Sequence, residues 1–166
     1  CAKVVYGTDT LAGKKVLVQG LGNVGSYLIE LLVKERAIIL VSDIFEDKIK
    51  RITERFKVTV VAADEVYRAD VDIYAPCALG ATINDTTLSQ LKCSVIAGAA
   101  NNQLADENKH GNLLMEKGIV YAPDYLINAG GVMNCYAEVM NISSDDVMKM
   151  AENIFSTTYD IIKTSH

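Results

Sequence analysis

The sequence predicts an α/β fold: a doubly wound, mostly parallel sheet of about six strands with helices on both faces. Three observations carry that expectation. Short β-type apolar runs alternate with helix-capable segments about six times, and parallel neighbours need such crossovers. The first run enters a glycine-rich turn, and a helical pattern follows it directly. At 166 residues, half of them hydrophobic and 22% charged, the chain suits one globular domain and excludes a disordered or collagen-like one.

Taken in order, Lys15–Gln19 (KVLVQ) is the first strand, entered at Gly13 and left at Gly20. Asn23–Glu35 follows as a helix, with Val24, Leu28, Leu31 and Leu32 as its apolar stripe. Ala37–Val41 (AIILV) is a continuous apolar run, expected of a strand covered on both faces. Glu46–Lys57 is amphipathic, with Ile49, Ile52 and Phe56 on one side. Val58–Val61, Val71–Ala75, Val95–Ala97 and Ile119–Tyr121 are the remaining β-type runs. Asn84–Leu91, opened by a capping Asn or Asp, and Leu113–Lys117 are helix-capable, and Asp145–Lys163 closes the chain as a long helix-like run. The first methionine is Met115, so a domain cut from a longer polypeptide is expected. In the doubly wound order 3-2-1-4-5-6, the crevice opens at the C-terminal ends of strands one and four. The least generic segments all follow predicted strand ends, which makes them one composite site.

Composition narrows the function classes. The net charge is −5 with Lys and Arg spread along the chain, so the footprint of a nucleic-acid binder is missing. No apolar run approaches the ~18–20 residues that span a bilayer, and no membrane role is expected. Cys1, Cys77, Cys93 and Cys135 form neither a CxxC pair nor a zinc spacing. They read as free thiols in a reducing, cytoplasmic setting, with no metal site.

Gly20-Leu21-Gly22-Asn23-Val24-Gly25 is a GxGxxG between strand and helix, the signature of a Rossmann-type turn. Its glycines permit a tight turn, close approach of a pyrophosphate, and close helix–strand packing. The helix N-terminus adds free N–H groups and a partial positive charge. A glycine turn without ligand is the alternative. Asp43 lies eighteen residues beyond Gly25 at the end of the second strand, near the ~20-residue offset where an acid accepts ribose hydroxyls. A carboxylate there repels a 2′-phosphate, favouring NAD over NADP, unless Asp43 merely caps the next helix. S-adenosylmethionine, which also uses a glycine turn and a ribose-binding acid, is the competing ligand.

Asn101 and Asn102 follow the small-residue run Ala97–Ala100, where their amides can meet a carboxamide or carboxylate or simply form a turn. Asn128, ahead of Gly130-Gly131, can orient a nicotinamide or cap the helix that follows. Cys77 falls in the crevice without a base to activate it, so it is not read as a nucleophile. His110 sits in a polar turn and reads as solvated. The lysines and both histidines avoid the strand-end loops, and Asp124 is the only acid in the last of them. No acid–base set assembles, so no catalytic residue is assigned.

VQGLGNVG, SDI, PCALGA, GAANNQLA, HG and EKGIVYAPDYLINAGGV stand in this order over about Thr8 to Met140. With them the chain resembles the glutamate/leucine/phenylalanine/valine dehydrogenase family, specifically its NAD-binding C-terminal domain. The resemblance implies reversible oxidative deamination of an L-amino acid to a 2-oxo acid and ammonia. It also implies a catalytic lysine and aspartate on a separate N-terminal domain, and a homo-oligomeric full-length enzyme. Residues 1–12 would then be the end of a linker helix, 13–142 the coenzyme domain, and 143–166 a truncated C-terminal helix. On the same footing, Gly20, Leu21, Gly22, Asn23, Val24, Gly25 and Ser26 form the pyrophosphate loop, and Asp43 and Ile44 contact adenosine. Cys77 and Ala78 wall the cofactor, Asn101 and Asn128 face the nicotinamide, and Asn102 meets the substrate carboxylate. The glutamate branch reads PCALQNE where this chain has PCALGA, and carries serine where this chain has Cys135. Val132 and Cys135 thus resemble the floor of an aliphatic pocket, closest to the leucine-type members. A stand-alone, non-catalytic NAD-binding module is the alternative function.

Overall fold

A computed structural model describes residues 1–165. All strand pairs are parallel, in one six-stranded sheet of order β3-β2-β1-β4-β5-β6. The strands are β1 (Lys15–Gln19), β2 (Ile38–Ser42), β3 (Thr59–Val60), β4 (Ile73–Pro76), β5 (Val95–Ile96) and β6 (Val120–Tyr121). The helices are α1 (Ala2–Tyr6), α2 (Asn23–Lys34), α3 (Glu46–Arg55), α4 (Asp85–Leu88), α5 (Glu107–Glu116), α6 (Asp124–Ile127), α7 (Gly130–Met140) and α8 (Ser144–Ser165). This is the Rossmann-type doubly wound order that the alternation predicts. Its reversal lies between β1 and β4, whose register sets Gln19 level with Pro76 at the C-terminal edge. Ligands of such sheets bind at that edge.

Strand alternation divides the core between the two faces. Val16 and Val18 of β1 join Ile39 and Val41, Ile29 and Leu32 of α2, Ile52 of α3 and Ile162 of α8. Leu17 points the other way, among Tyr74, Ile96, Ile83, Leu88 and Leu114. Burying side chains of this kind contributes about 1.5–3 kcal/mol each. Cys1, Val4, Val5 and Tyr6 pack on the same cluster that holds Ile162, so both chain ends close over one face of the sheet. None of the helices described is long and apolar enough to cross a membrane.

Several expectations need correcting. On α2 the buried face is Gly25, Ile29 and Leu32, while Val24 and Leu31 are exposed. Gly25 must face β1 for the helix to come close, and positions four and seven residues on follow it inward. β2 begins one residue later than expected, with Ile38 at the surface, so the run is not covered throughout. β3 shrinks to two exposed edge residues. Asn84 caps α4 through its side chain, but that helix is shorter than Asn84–Leu91.

The largest error concerns His110. It lies inside α5, not in a solvated turn, and is buried. Its Nδ1 accepts from the Asp106 backbone N–H at 3.0 Å, so its hydrogen sits on Nε2, 3.1 Å from Asp85 Oδ1. The imidazole therefore joins α4 to α5. The helix begins at Glu107, capped by Asp106, six residues before the expected Leu113. Its first turns are polar outward, and only Leu114 and His110 are fully buried, with Leu113 partly so, so apolar periodicity was a poor guide there.

Candidate functional site

The turn after β1 is shaped by close approach. Gly20 adopts φ +100°, and a Cβ there would lie 2.7 Å from the Ala78 backbone nitrogen. A Cβ on Gly25 would overlap the Gly20 carbonyl oxygen. The glycine turn, the start of α2 and the loop after β4 thus close on one another without side chains between them. Gly22 is the N-cap of α2 and offers no side-chain cap, which leaves first-turn N–H groups for an outside acceptor.

Asp43 ties this turn to the end of β2. Its Oδ2 accepts from the Leu21 backbone N–H at 2.7 Å and its Oδ1 from the Phe45 N–H at 3.0 Å. Its side chain is only 6% exposed, and Lys48 Nζ lies 3.8 Å from Oδ2. The N-cap of α3 is Phe45 and makes no side-chain cap, so Asp43 is a clamp between two loops, not a helix cap. Gly20, Gly22, Asp43, Ile44, Cys77 and Ala78 border one cleft of about 470 Å³. Phe45, Lys48 and Gln19 border it too, and sequence reasoning missed all three. Lys48 corrects the expectation that lysines avoid this edge: it arrives from the first turn of α3, over the Phe45 ring at 4.3 Å. Gln19 is held by the Tyr74 hydroxyl, which donates to its Oε1. Burial pushes that phenol well above its ordinary range.

Leu21 and Ser26 lie behind the turn, in a separate pocket of about 180 Å³ under Lys48 and Arg51. Ser26 Oγ donates to the Leu21 carbonyl at 3.3 Å. Asn23 is exposed at the start of α2, and Val24 borders a shallow groove with Tyr27, Ala97 and Ile127. Burial raises the Cys77 thiol above its usual range, against a weaker opposing hydrogen bond from the Ala99 backbone. A protonated, desolvated thiol is a wall and not a nucleophile.

At the other end of the edge, Asn128 Nδ2 donates to Asn101 Oδ1. Asn128 is the C-cap of α6, and the N-cap of α7 is Ala129 without a side-chain cap, so Asn128 caps nothing that follows it. The pair leaves the Asn101 amide nitrogen and the Asn128 carbonyl oxygen without partners among the described residues. One donor and one acceptor are what a primary carboxamide needs. Asn102 sits at φ +50°, a region asparagine tolerates, and its carbonyl accepts from the Ala81 N–H at 2.6 Å. A Cβ on Gly80 would overlap the carbonyl oxygens of Asn101 and Asn102. The loop after β4 therefore presses on the Asn101–Asn102 turn as well as on the glycine turn. Asn102 also borders a pocket of about 190 Å³ with Asp124 and Tyr125. Val132 and Cys135 lie outside these contacts, exposed on α7.

Comparison with known proteins agrees with this architecture. Leucine dehydrogenase of Bacillus subtilis is 49% identical over 164 residues, which is 99% of this chain and 45% of that protein. For leucine dehydrogenase of Bacillus cereus the figures are 48% over 164 residues, 99% and 44%. The crystal structure of L-tryptophan dehydrogenase from Nostoc punctiforme superposes with a TM-score of 0.95 at 43% identity, covering 98% of this chain and 48% of that one. The chain thus spans less than half the length of the relatives it matches. Residues 41–164 match the family described as Glutamate/Leucine/Phenylalanine/Valine dehydrogenase, and that match, together with near-complete coverage at almost half identity, makes the chain a member of it.

Proposed function

We propose that the chain is the coenzyme-binding domain of an NAD-dependent L-amino-acid dehydrogenase of leucine or branched-chain type. The observation that carries this reading is the single sheet edge. From β2 across to β5, a clamped acid, a side-chain-free helix N-terminus and an asparagine pair stand along it in the order adenosine ribose, pyrophosphate and nicotinamide would require. The donor set fits the dinucleotide. First-turn N–H groups of α2 face the pyrophosphate side, and the Asp43 carboxylate stands where ribose hydroxyls would donate. The Asn101–Asn128 pair offers one donor and one acceptor for a carboxamide. NAD, when bound, supplies the hydride acceptor for oxidation of the amino acid by two electrons, with water then releasing ammonia and the 2-oxo acid.

In this reading Gly20 to Ser26 hold the phosphates, Asp43 and Ile44 the adenosine, and Cys77 and Ala78 exclude water beside the cofactor. Asn101 and Asn128 orient the nicotinamide, and Asn102 the substrate carboxylate. Val132 and Cys135, exposed on α7, are available to an aliphatic side chain. No proton-transferring group is assigned within this chain. We place it on a further domain, absent here, so residues 13–142 bind coenzyme and turn over nothing alone. Residues 1–12 are then the end of the linker helix from that domain. The whole enzyme is read as cytoplasmic and homo-oligomeric, acting on a small-molecule amino acid.

Calorimetric titration of the chain with NAD, NADP and S-adenosylmethionine tests the coenzyme reading. NAD should bind, NADP more weakly, and S-adenosylmethionine not at all. Binding of S-adenosylmethionine alone would replace the reading. The full-length enzyme should then form NADH with L-leucine or L-valine faster than with L-phenylalanine, L-tryptophan or L-glutamate. Turnover of glutamate only would end the branched-chain part.

A further inference from the structure

Gln103 is fully buried directly behind the asparagine turn. Its Nε2 donates to the Gly98 carbonyl at 2.6 Å and to the Ala100 carbonyl at 2.9 Å. Both acceptors are carbonyls, so the amide orientation is set, and its Oε1 is left buried without a partner among the described residues. Its backbone N–H donates to Asp124 Oδ2 at 2.8 Å, and Asp124 Oδ1 accepts from the Tyr125 N–H at 2.7 Å. Its carbonyl accepts from the Ile83 N–H at 3.0 Å.

One side chain therefore closes the small-residue run 98–100 onto itself. Asp124, at the first residue of α6, fixes the far side of the turn. Asn101 and Asn102 hang between these supports, and Asn128 is on the same α6 segment that Asp124 starts. An unpartnered buried amide oxygen is unfavourable; a purely apolar filler would avoid it while leaving the turn unbraced.

We infer that Gln103 and Asp124 are positioning residues for the nicotinamide end of the site: they hold the Asn101 and Asn128 carboxamides in register across the β5–β6 gap. The inference rests on the coenzyme reading above and adds to it two residues that touch neither cofactor nor substrate. It separates the two ends of the ligand, because the glycine turn and Asp43 hold the adenosine half without either residue.

The test compares NAD with ADP-ribose, which lacks only the nicotinamide, by calorimetry on the chain as it stands. Gln103→Met, close in shape but without donors, should weaken NAD roughly fivefold to tenfold, the worth of about one hydrogen-bonded contact, and change ADP-ribose less than about twofold. Asp124→Ala should do the same more mildly, and Asp124→Asn, whose single carbonyl oxygen can still serve the Gln103 N–H while the exposed Tyr125 N–H loses its acceptor, should restore part of the difference. Should Gln103→Met fail to fold, the Asp124 pair still decides the matter. Equal losses for both ligands, or no loss for either, overturn the inference and leave the coenzyme reading intact. If the unsubstituted chain binds neither ligand, both fall together.

Discussion

On the β1–β2 side the crevice is made of backbone and one nearly buried carboxylate. On the β5–β6 side it is made of side-chain amides hung from a second layer of hydrogen bonds. The first side is built on the glycine turn and helix N-terminus, with Asp43 reaching 22 residues back to Leu21 and Ala78 closing on Gly20. The second draws on Gly80, Gly98, Gln103, Asp124 and Asn128, which only the folded sheet brings together. In the proposed coenzyme reading, the first side would serve adenosine and the second nicotinamide, and only the second would depend on support from behind.

The sharpest break of this contrast is Gly80→Gln, which installs the glutamate-branch residue where the two ends meet. Its Cβ has no room against Asn101 and Asn102. The substitution should cost about 1–3 kcal/mol, as overpacking does, and abolish measurable NAD binding. Chemical denaturation and titration of the same sample check both. Full NAD affinity would show that the two ends are mechanically independent.

Asp43→Ala is expected to act next most strongly, and on one end only. It orphans the Leu21 N–H, at about 1–3 kcal/mol for a buried donor, and should weaken NAD about tenfold. It also frees Lys48 from its carboxylate, so the preference for NAD over NADP should shrink or reverse. Paired titrations with both cofactors measure this, and unchanged affinities would reduce Asp43 to a purely structural clamp.

The mildest effect distinguishes thiols. Burial pushes Cys93 up to about 11 and raises Cys77 in the same direction, while Cys135 is exposed. Only the thiolate reacts, so iodoacetamide at neutral pH should modify Cys135 first and Cys93 last, as read by peptide mass spectrometry. NAD should slow Cys77 further without altering Cys93. Fast modification of Cys77 would mean that the cleft wall is open and charged.

Some of this was legible in the chain itself. Strand count, parallel order, the glycine turn and Asp43 followed from local spacing, because turns, caps and alternation are short-range consequences of residue type. The stripe read on α2 held for Leu28 and Leu32 but failed at Val24 and Leu31, because bringing Gly25 close to β1 turns Ile29 inward instead. His110 was misjudged because a polar side chain is buried only when partners satisfy it, and one of them, Asp85, lies 25 residues away.

What the sequence alone determined is the architecture and the glycine turn, since these arise from periodicity and from conformations that few residues can adopt. Tertiary structure alone decided that Asp43 is a clamp, that Lys48 enters the cleft, and that Asn101 and Asn128 pair over a Gln103–Asp124 brace. Hydrogen bonds between residues 20 or more positions apart leave no local trace, because their partners meet only after the sheet has set the register between them.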